Sequence, residues 1–436
     1  MKLTVFQSDK GDCLLLTGAD GGNMLIDGGM RSSYTKFVRP ILGKMRENNE
    51  ELDLIYVSHI DQDHIAGVLQ LVNDEMAWRV YEIHQNSPHG NPNVKKPRFK
   101  RPPVVKDIWH NSFYDLISKN RGRFEDQLAA SAGFLFSMPG SEFDELAEHY
   151  VDLVTSKKEA LQLSRRIGDK QLDIPLNRHF GDKLAYVRDG QGTIDLGGMK
   201  IFVIGPFEDD LRNLRKEWNN WLRKNRSTIR ELRRQAREDE SQLTLSALQA
   251  LADLGASSTG RLGDRGKVTS ANLASLMLLV EEDGKTVLLS GDGHANDIIK
   301  GLKHYNKLNA QGGLHVDVLK VLHHGSEHNT DSNFTRLVTA DHYVFCGNGA
   351  HANPDLRVID AYARSRIGAD KERSKNPEVD RPFRFWFNSK STMPGGNKKY
   401  RKHMKKVERR VRYHRARSGG KLRYTFFSSA YRVIDI

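Results

Sequence analysis

The stretch "VSHIDQDHIAG" (57–67) places His59, Asp61, Asp63 and His64 within six positions, directly after the apolar run "LDLIY". No regular strand or helix can turn four such side chains to one side, because strands alternate and helices repeat every 3.6 residues. A loop at the end of a strand can bring them to one point. Histidine and aspartate are the side chains that bind Zn²⁺, Mn²⁺ or iron. A bland alternative is a polar turn in which Asp63 caps the next helix.

Two further apolar runs deliver the same chemistry. "TVLLSGDG" ends in Asp292 and "DVLKVLHHGS" in His323 and His324, while "NMLIDGG" ends in Asp27. Several strand ends that each present a ligand type suggest a layered α/β fold with a metal site along one sheet edge.

The rest of the chain fits that frame. "LTVFQ", "CLLLTG" and "NMLIDGG" read as a strand meander, followed by a helix over about 34–48 and another from His64 to Val72. From about 86 to 180 the sequence is Pro- and Lys-rich and then helical (about 111–135 and 141–167), with no convincing strand, which reads as an insertion. Strands return at 192–206. A second insertion, about 207–266, holds a charged helix (207–240) and a Gly/Ser-rich loop. "ASLMLLVEE" and "KTVLLSGD" flank an Asp-Gly turn, the pattern of a β-hairpin. Residues 1–375 are expected to form the main domain and 376–436 a basic extension with closing strands.

No run approaches ~18 apolar residues, so no membrane span is expected. The start of the chain lacks signal-peptide features, and Cys13 and Cys346 form no Cys-x-x-Cys pattern. A cytoplasmic protein is expected. The net charge of +13 is concentrated. Between Lys398 and Arg417 stand eleven Lys/Arg and one acid, Glu408, and "VKKPRFKRPP" (94–103) forms a smaller patch. The first segment allows a helix with Met404, Val407 and Val411 packed inward and Lys405, Lys406, Arg409 and Arg410 free to meet a nucleic-acid backbone.

These motifs resemble the metallo-β-lactamase-fold hydrolases. The H-x-D-x-D-H form is similar to their ComEC-type branch, named for bacterial DNA-uptake channel proteins, which has soluble members in anti-phage defence. "SDKGDCLLLTGADGGNMLIDGG", with Asp12 and Asp27, "NLASLMLLVEEDGKTVLLSGD", "DVLKVLHHGS" and "FCGNGAHANPDLRVI" resemble its segments in the right order. The resemblance implies an αββα sandwich and two divalent ions, Zn²⁺ or Mn²⁺. His59 and Asp61 would hold one ion, Asp63 and His64 the other, with Asp292 bridging. His324, rather than His323, would complete the second site. Asp27 would orient a ligand from behind, and Asp63 and His351 are the candidate catalytic groups. The family's third ligand to the first ion has no match in spacing; His179 is the best placed of His84, His89, His110, His149 and His179, and a one-metal site stays open. The leading expectation is a phosphodiesterase that uses a metal-bound hydroxide on nucleic acid. A hydrolase of lactones, thioesters or a nucleotide signal is the second reading. The third is a non-catalytic metal-binding subunit whose helical insertions meet a protein partner.

Overall fold

The computed structural model describes residues 1–111, 159, 162–164, 166–169, 171–214, 216, 262–393 and 397–436. Strands β1 (Lys2–Phe6), β2 (Leu14–Thr17) and β3 (Asn23–Ile26) form the antiparallel meander that the short apolar runs suggest. β4 (Leu54–Tyr56) then joins β3 in parallel, and β5 (Ile108–Trp109) joins β4 in parallel. The parallel pairing requires a crossover, which α1 (Arg39–Glu47) supplies between β3 and β4, and α2 (Gln62–Asn86) begins the next one.

The second sheet runs β6 (Ile194–Leu196), β7 (Met199–Gly205), β8 (Met277–Glu282), β9 (Lys285–Leu289), β10 (Leu314–Lys320), β11 (Val338–Phe345), β12 (Phe383–Phe387) and β13 (Leu422–Phe426), neighbours in that order. β6 to β9 are antiparallel, and β9 to β13 are parallel. The Asp-Gly hairpin is present: Asp283 and Gly284 both take positive φ (51° and 75°), as a two-residue type I′ turn needs. β14 (Tyr431–Asp435) closes the first sheet against β1, so residues 376–436 contribute to both sheets.

The strands read as near-continuous apolar runs because both faces of each sheet are covered. Between the sheets lie Leu3, Val5, Leu16 and Tyr56 of the first against Ile201, Leu278, Val280 and Val318 of the second. The outer face of the first sheet packs on α1 and α2 through Leu25, Ile55, Leu42 and Ile65. The outer face of the second packs on α3 (Ala295–His304), α4 (Leu356–Ile367) and α5 (Lys398–Arg417). The result is an αββα sandwich, the mixed α/β fold expected from the sequence. No described helix is long and apolar enough to cross a membrane.

Three local expectations need correction. The helix after the motif continues to Asn86, not Val72. Burial stops at Asp74, so the apolar run marked only the buried half of the helix. Its outer half is held by polar pairs, Arg79 and Arg101 on Glu75. The segment 86–180 does contain a strand, β5, whose two residues are too few to show alternation. The amphipathic segments at 111–135 and 141–167 lie almost wholly outside the described residues. Of the charged helix expected at 207–240 only 207–214 and 216 are described; 208–214 and 216 are helical.

One contact fixes where the motif helix meets the first sheet. Gly28, just after β3, donates its N–H to the His64 carbonyl (2.7 Å), and Gly67 donates to the Gly29 carbonyl (3.0 Å). A Cβ on Gly67 would stand 1.9 Å from the Gly28 carbonyl oxygen. Gly67→Ala should therefore force the two elements apart and cost about 1–3 kcal/mol in urea unfolding, as overpacked sites do. Gly192→Ala, where nothing lies within 4 Å, should stay within about 0.5 kcal/mol of wild type.

Candidate metal centre

Parallel pairing sends the C-terminal ends of β3, β4 and β5 to one edge of the first sheet and those of β9, β10 and β11 to one edge of the second. These ends carry Asp27, then His59 to His64, then His110, then Asp292, then His323 and His324, and finally His351. Ligands sit at such edges in open α/β sheets generally.

Asp292 is at the centre. Its Oδ2 faces the Nε2 atoms of His323 (3.3 Å), His324 (3.6 Å) and His59 (3.7 Å), and its Oδ1 faces Nε2 of His64 (3.5 Å). Asp63 stands 3.3 Å from His324 Nε2 and 3.9 Å from His64 Nε2. Asp61 stands 3.4 Å from His59 Nε2. The residues singled out in the sequence are thus brought together around Asp292, Asp63 beside His64 and His324 and Asp61 beside His59. Asp61 is the N-cap of α2, yet its side chain makes no capping bond. Nor is Asp63 the cap, so the polar-turn reading does not describe these carboxylates.

Every one of the four rings has its Nδ1 engaged on the far side. His64 Nδ1 pairs with Asp27 (2.8 Å), His324 Nδ1 with the Cys346 carbonyl (2.9 Å), and His323 Nδ1 with Asn329 Oδ1 (2.9 Å). His59 Nδ1 meets Ser58 Oγ (3.1 Å), which in turn donates to Asp27 (2.8 Å). An acceptor at Nδ1 fixes the proton there and leaves Nε2 as a bare lone pair directed at Asp292. Backbone strain aims three of the residues: His323, His324 and Asp27 have φ of 43°, 55° and 54°. Such left-handed conformations in non-glycine residues concentrate at functional sites. They let the consecutive His323 and His324 both face Asp292.

Asp12, in the loop after β1, and Lys320, the last residue of β10, complete the neighbourhood. They form a buried ion pair, and Lys320 also reaches the Gly291 carbonyl (3.0 Å) and stands 3.6 Å from Asp292. Asp12, His64, Asp292 and His324 offer ligand atoms within 4.8 Å of one another, all buried. Asp12, however, approaches the Nδ1 sides of His324 (3.2 Å) and His64 (3.9 Å), behind the rings, while Asp63 approaches their Nε2 sides. The geometry therefore gives Asp12 an orienting place beside Asp27 and leaves Asp63 in the ligand place.

The electrostatics follow from crowding. Burial would raise the pKa of Asp61, but His59 outweighs it and holds the carboxyl below its usual range. Burial likewise opposes ionisation of Asp12, and Lys320 with His324 brings it down to about 2. Asp292 is held low against burial by His323, His64, His324 and His59. In return burial fails to depress His324, which Asp292 and Asp12 push up to about 10. The surroundings of His64 and His324 thus favour a positive charge at Nε2, whereas at His323 burial outweighs Asp292 and lowers the pKa.

His110 stands near His59. It follows β5, is fully buried, and among the described residues neither ring nitrogen has a hydrogen-bond partner. Burial, then the proximity of His59, brings its pKa down to about 4, so the ring is neutral. His179, the histidine favoured on sequence, instead pairs with Asp107 (3.3 Å) against Trp109 and is partly exposed. His110 follows the pattern of the other strand ends, an apolar run ending in a ligand type, but the run "IW" is too short to register. Lys320 stands inside "DVLKVLHHGS" without a signal of its own, whereas Asp12 is marked in the sequence only as an acidic position of the resemblance.

The donor set fits divalent metal. Buried polar atoms normally find partners, yet His59 Nε2, His64 Nε2, His324 Nε2, Asp292 Oδ1 and both nitrogens of His110 have none. The charge count agrees. Asp12 cancels Lys320, and the remaining Asp27, Asp61, Asp63 and Asp292 carry −4, which two divalent ions would neutralise.

The cluster forms the floor of a cleft of about 420 Å³ that Asp61, Asp63, Asp292, His323 and His324 line, with Lys10 and His351 at its walls. His351 is exposed and left-handed (φ 51°). Its turn (Ala350–Ala352) packs on the start of α5, where Gly349 lies against the Tyr400 backbone and His403 Nε2 meets the Pro354 carbonyl (2.9 Å). α5 itself buries Met404, Val407, Val411 and His414. Lys405, Lys406 and Arg409 are exposed. Arg410 is not free for a backbone contact, because it pairs with Asp360 (3.0 Å) beside His414. Arg417 covers the ring of Tyr413 at 3.7 Å, which occupies one stacking face.

No curated protein matches the chain. The stretch from residue 9 to residue 141, which carries Asp12, Asp27, the His59–His64 motif and His110, matches the family model of the metallo-beta-lactamase superfamily.

Proposed function

We propose that this protein is a metal-dependent hydrolase of phosphodiesters that acts on nucleic acid. The observation that carries the reading is the convergence of four histidine Nε2 atoms on Asp292, each ring fixed through Nδ1. His59, Asp61, His110 and Asp292 would hold one divalent ion, and Asp63, His64, His324 and Asp292 the other. Bound there, such ions polarise a phosphoryl oxygen and bring the pKa of water from about 15.7 towards 7.

The chain's own groups divide the remaining work. Asp27 and Ser58 hold His64 and His59 in one tautomer, and Lys320 with Asp12 fixes the far side of the cluster. His323, partly exposed in the cleft, has its Nδ1 on Asn329 and its Nε2 on Asp292, so it offers a further nitrogen to the metal rather than a donor to substrate. His351, on the wall, is placed to hydrogen-bond a substrate oxygen. Nucleic acid is favoured over a small ester by α5, whose exposed cations begin beside the cleft wall. The nuclease reading is tested by assaying single- and double-stranded DNA and RNA with Mn²⁺ and with Zn²⁺, against a panel of lactones and thioesters. Turnover of esters alone would sink it.

Asp63→Ala should abolish turnover while the fold persists, since the side chain is partly exposed and loses at least ~10–100-fold as a ligand change. His64→Ala should behave differently. The ring is fully buried and its loss removes one of the three hydrogen bonds on Asp27, so stability falls as well, by roughly 1–3 kcal/mol. Equal melting of the two variants would refute this distinction.

Asp292→Asn should release both metals together, because an amide cannot replace the shared charge. Mass spectrometry of the purified variant reads this out: one full retained equivalent would assign Asp292 to a single ion.

Neutralising Lys405, Lys406 and Arg409 to Gln should flatten the slope of log K against log salt by roughly 2–3 units. Cleavage of a small chromogenic phosphodiester should be unchanged. A preserved slope would remove α5 from the nucleic-acid interface.

A further inference from the structure

The second basic patch, "VKKPRFKRPP", takes a defined form that the catalytic reading leaves unused. It folds across α1 and α2 on the outer face of the first sheet and walls a groove of about 460 Å³. Burial alternates along it: Lys96, Arg98 and Lys100 are exposed, and Pro97, Phe99 and Arg101 are partly buried. The inward residues are anchors. Arg101 forks onto Glu75 (2.7 and 2.9 Å) and reaches Glu82 (2.6 Å) of α2, and Phe99 lies under Arg39 at 4.5 Å. Gly43 of α1 makes room for the Lys100 stem, since a Cβ there would stand 2.5 Å from Lys100 Cβ. Lys100 is itself neutralised by Glu47.

What remains is a set of cations without carboxylate partners. Among the described residues, Arg46, Lys96 and Arg98 form no ion pair, and all three line the groove. Trp78 of α2 forms part of its wall, half-buried, with the Lys96 ammonium 5.4 Å from the ring centre. Among the described residues the only acid lining the groove is Glu47, already engaged. An anchored loop holds these cations in place before any ligand arrives, so little side-chain freedom is lost on binding.

We infer that this groove is a second binding site for single-stranded nucleic acid, with phosphates on Arg46, Lys96 and Arg98 and a base against Trp78. Cations combined with an aromatic platform are how proteins hold single strands without reading sequence. The inference rests on the nucleic-acid reading above and extends it. Trp78 lies fifteen residues beyond Asp63 along one helix, about 22 Å from the metal centre. The groove therefore holds the strand away from the scissile bond, and its contribution is to affinity.

The test uses the full chain kept metal-free with EDTA, and fluorescence anisotropy of a labelled twenty-nucleotide single strand between 50 and 200 mM salt. The Arg46→Gln/Lys96→Gln/Arg98→Gln variant should flatten the slope of log K against log salt by about 2 units. Trp78→Leu should weaken binding roughly tenfold and leave the slope alone. If Trp78→Leu lowers the melting temperature, the triple variant, confined to surface side chains, decides. Both should cleave a chromogenic phosphodiester like wild type. An unchanged slope in the triple variant overturns the site, and an equal loss on a duplex of the same sequence overturns its assignment to single strands. Failure of the wild type to cleave the chromogenic diester would instead overturn the hydrolase reading, and the binding result would stand apart from it.

Discussion

Five aspartates, Asp12, Asp27, Asp61, Asp63 and Asp292, share one largely buried neighbourhood, and the rest of the site is arranged around that charge. Burying carboxylates is costly unless each is paired. Asp12 is neutralised by Lys320, and Asp27 is stabilised by hydrogen bonds from the Ser58 backbone, the Ser58 hydroxyl and His64. Asp61, Asp63 and Asp292 face chiefly histidine Nε2 atoms, with Lys320 standing 3.6 Å from Asp292. Carboxylates facing ring nitrogens whose Nδ1 sides are already engaged attract a cation there. With two divalent ions the pocket is neutral, and a phosphodiester can approach without repulsion. With one, the pocket keeps −2 and repels it.

The sandwich supplies this convergence through strand direction. β3, β4, β5, β9, β10 and β11 are parallel to their neighbours where it matters, so their ends meet at one edge. Two close approaches then set the fine geometry: Gly28 against Gly67, which brings Asp27 to His64, and the left-handed turn at His323–His324, which gives two consecutive rings one direction. Neither would survive an ordinary side chain or backbone at those positions.

Much of this was legible in the sequence. The apolar runs marked the strands, the Asp-Gly turn marked the hairpin, and ligand types at run ends marked the site. What escaped detection has physical causes. His110 follows a strand of two residues, which pairing with β4 at the sheet edge rather than propensity holds in place. Lys320 reads as a polar break in an apolar strand, and only the two-sheet packing shows it to be a buried partner for Asp12. The outer half of α2 looks like loop because polar pairs rather than apolar burial stabilise it. The capture of Arg410 by Asp360 depends on α4 lying beside α5, and no periodicity within one helix reveals that.

The layering also separates chemistry from affinity. α5 belongs to the helices on the second sheet, and the groove beside Trp78 to those on the first, with the cleft at the edge between them. Electrostatic screening in physiological salt acts within about 8 Å. The cations of the groove beside Trp78, about 22 Å from the metal centre, therefore leave the field inside the cleft almost unchanged, and a small anion bound there gains nothing from them. Only a ligand long enough to touch them does. On the proposed nucleic-acid function, cations that are unpaired among the described residues on both outer layers, with a pocket that divalent ions would bring to neutrality between them, would favour a polymer over its monomer through reach.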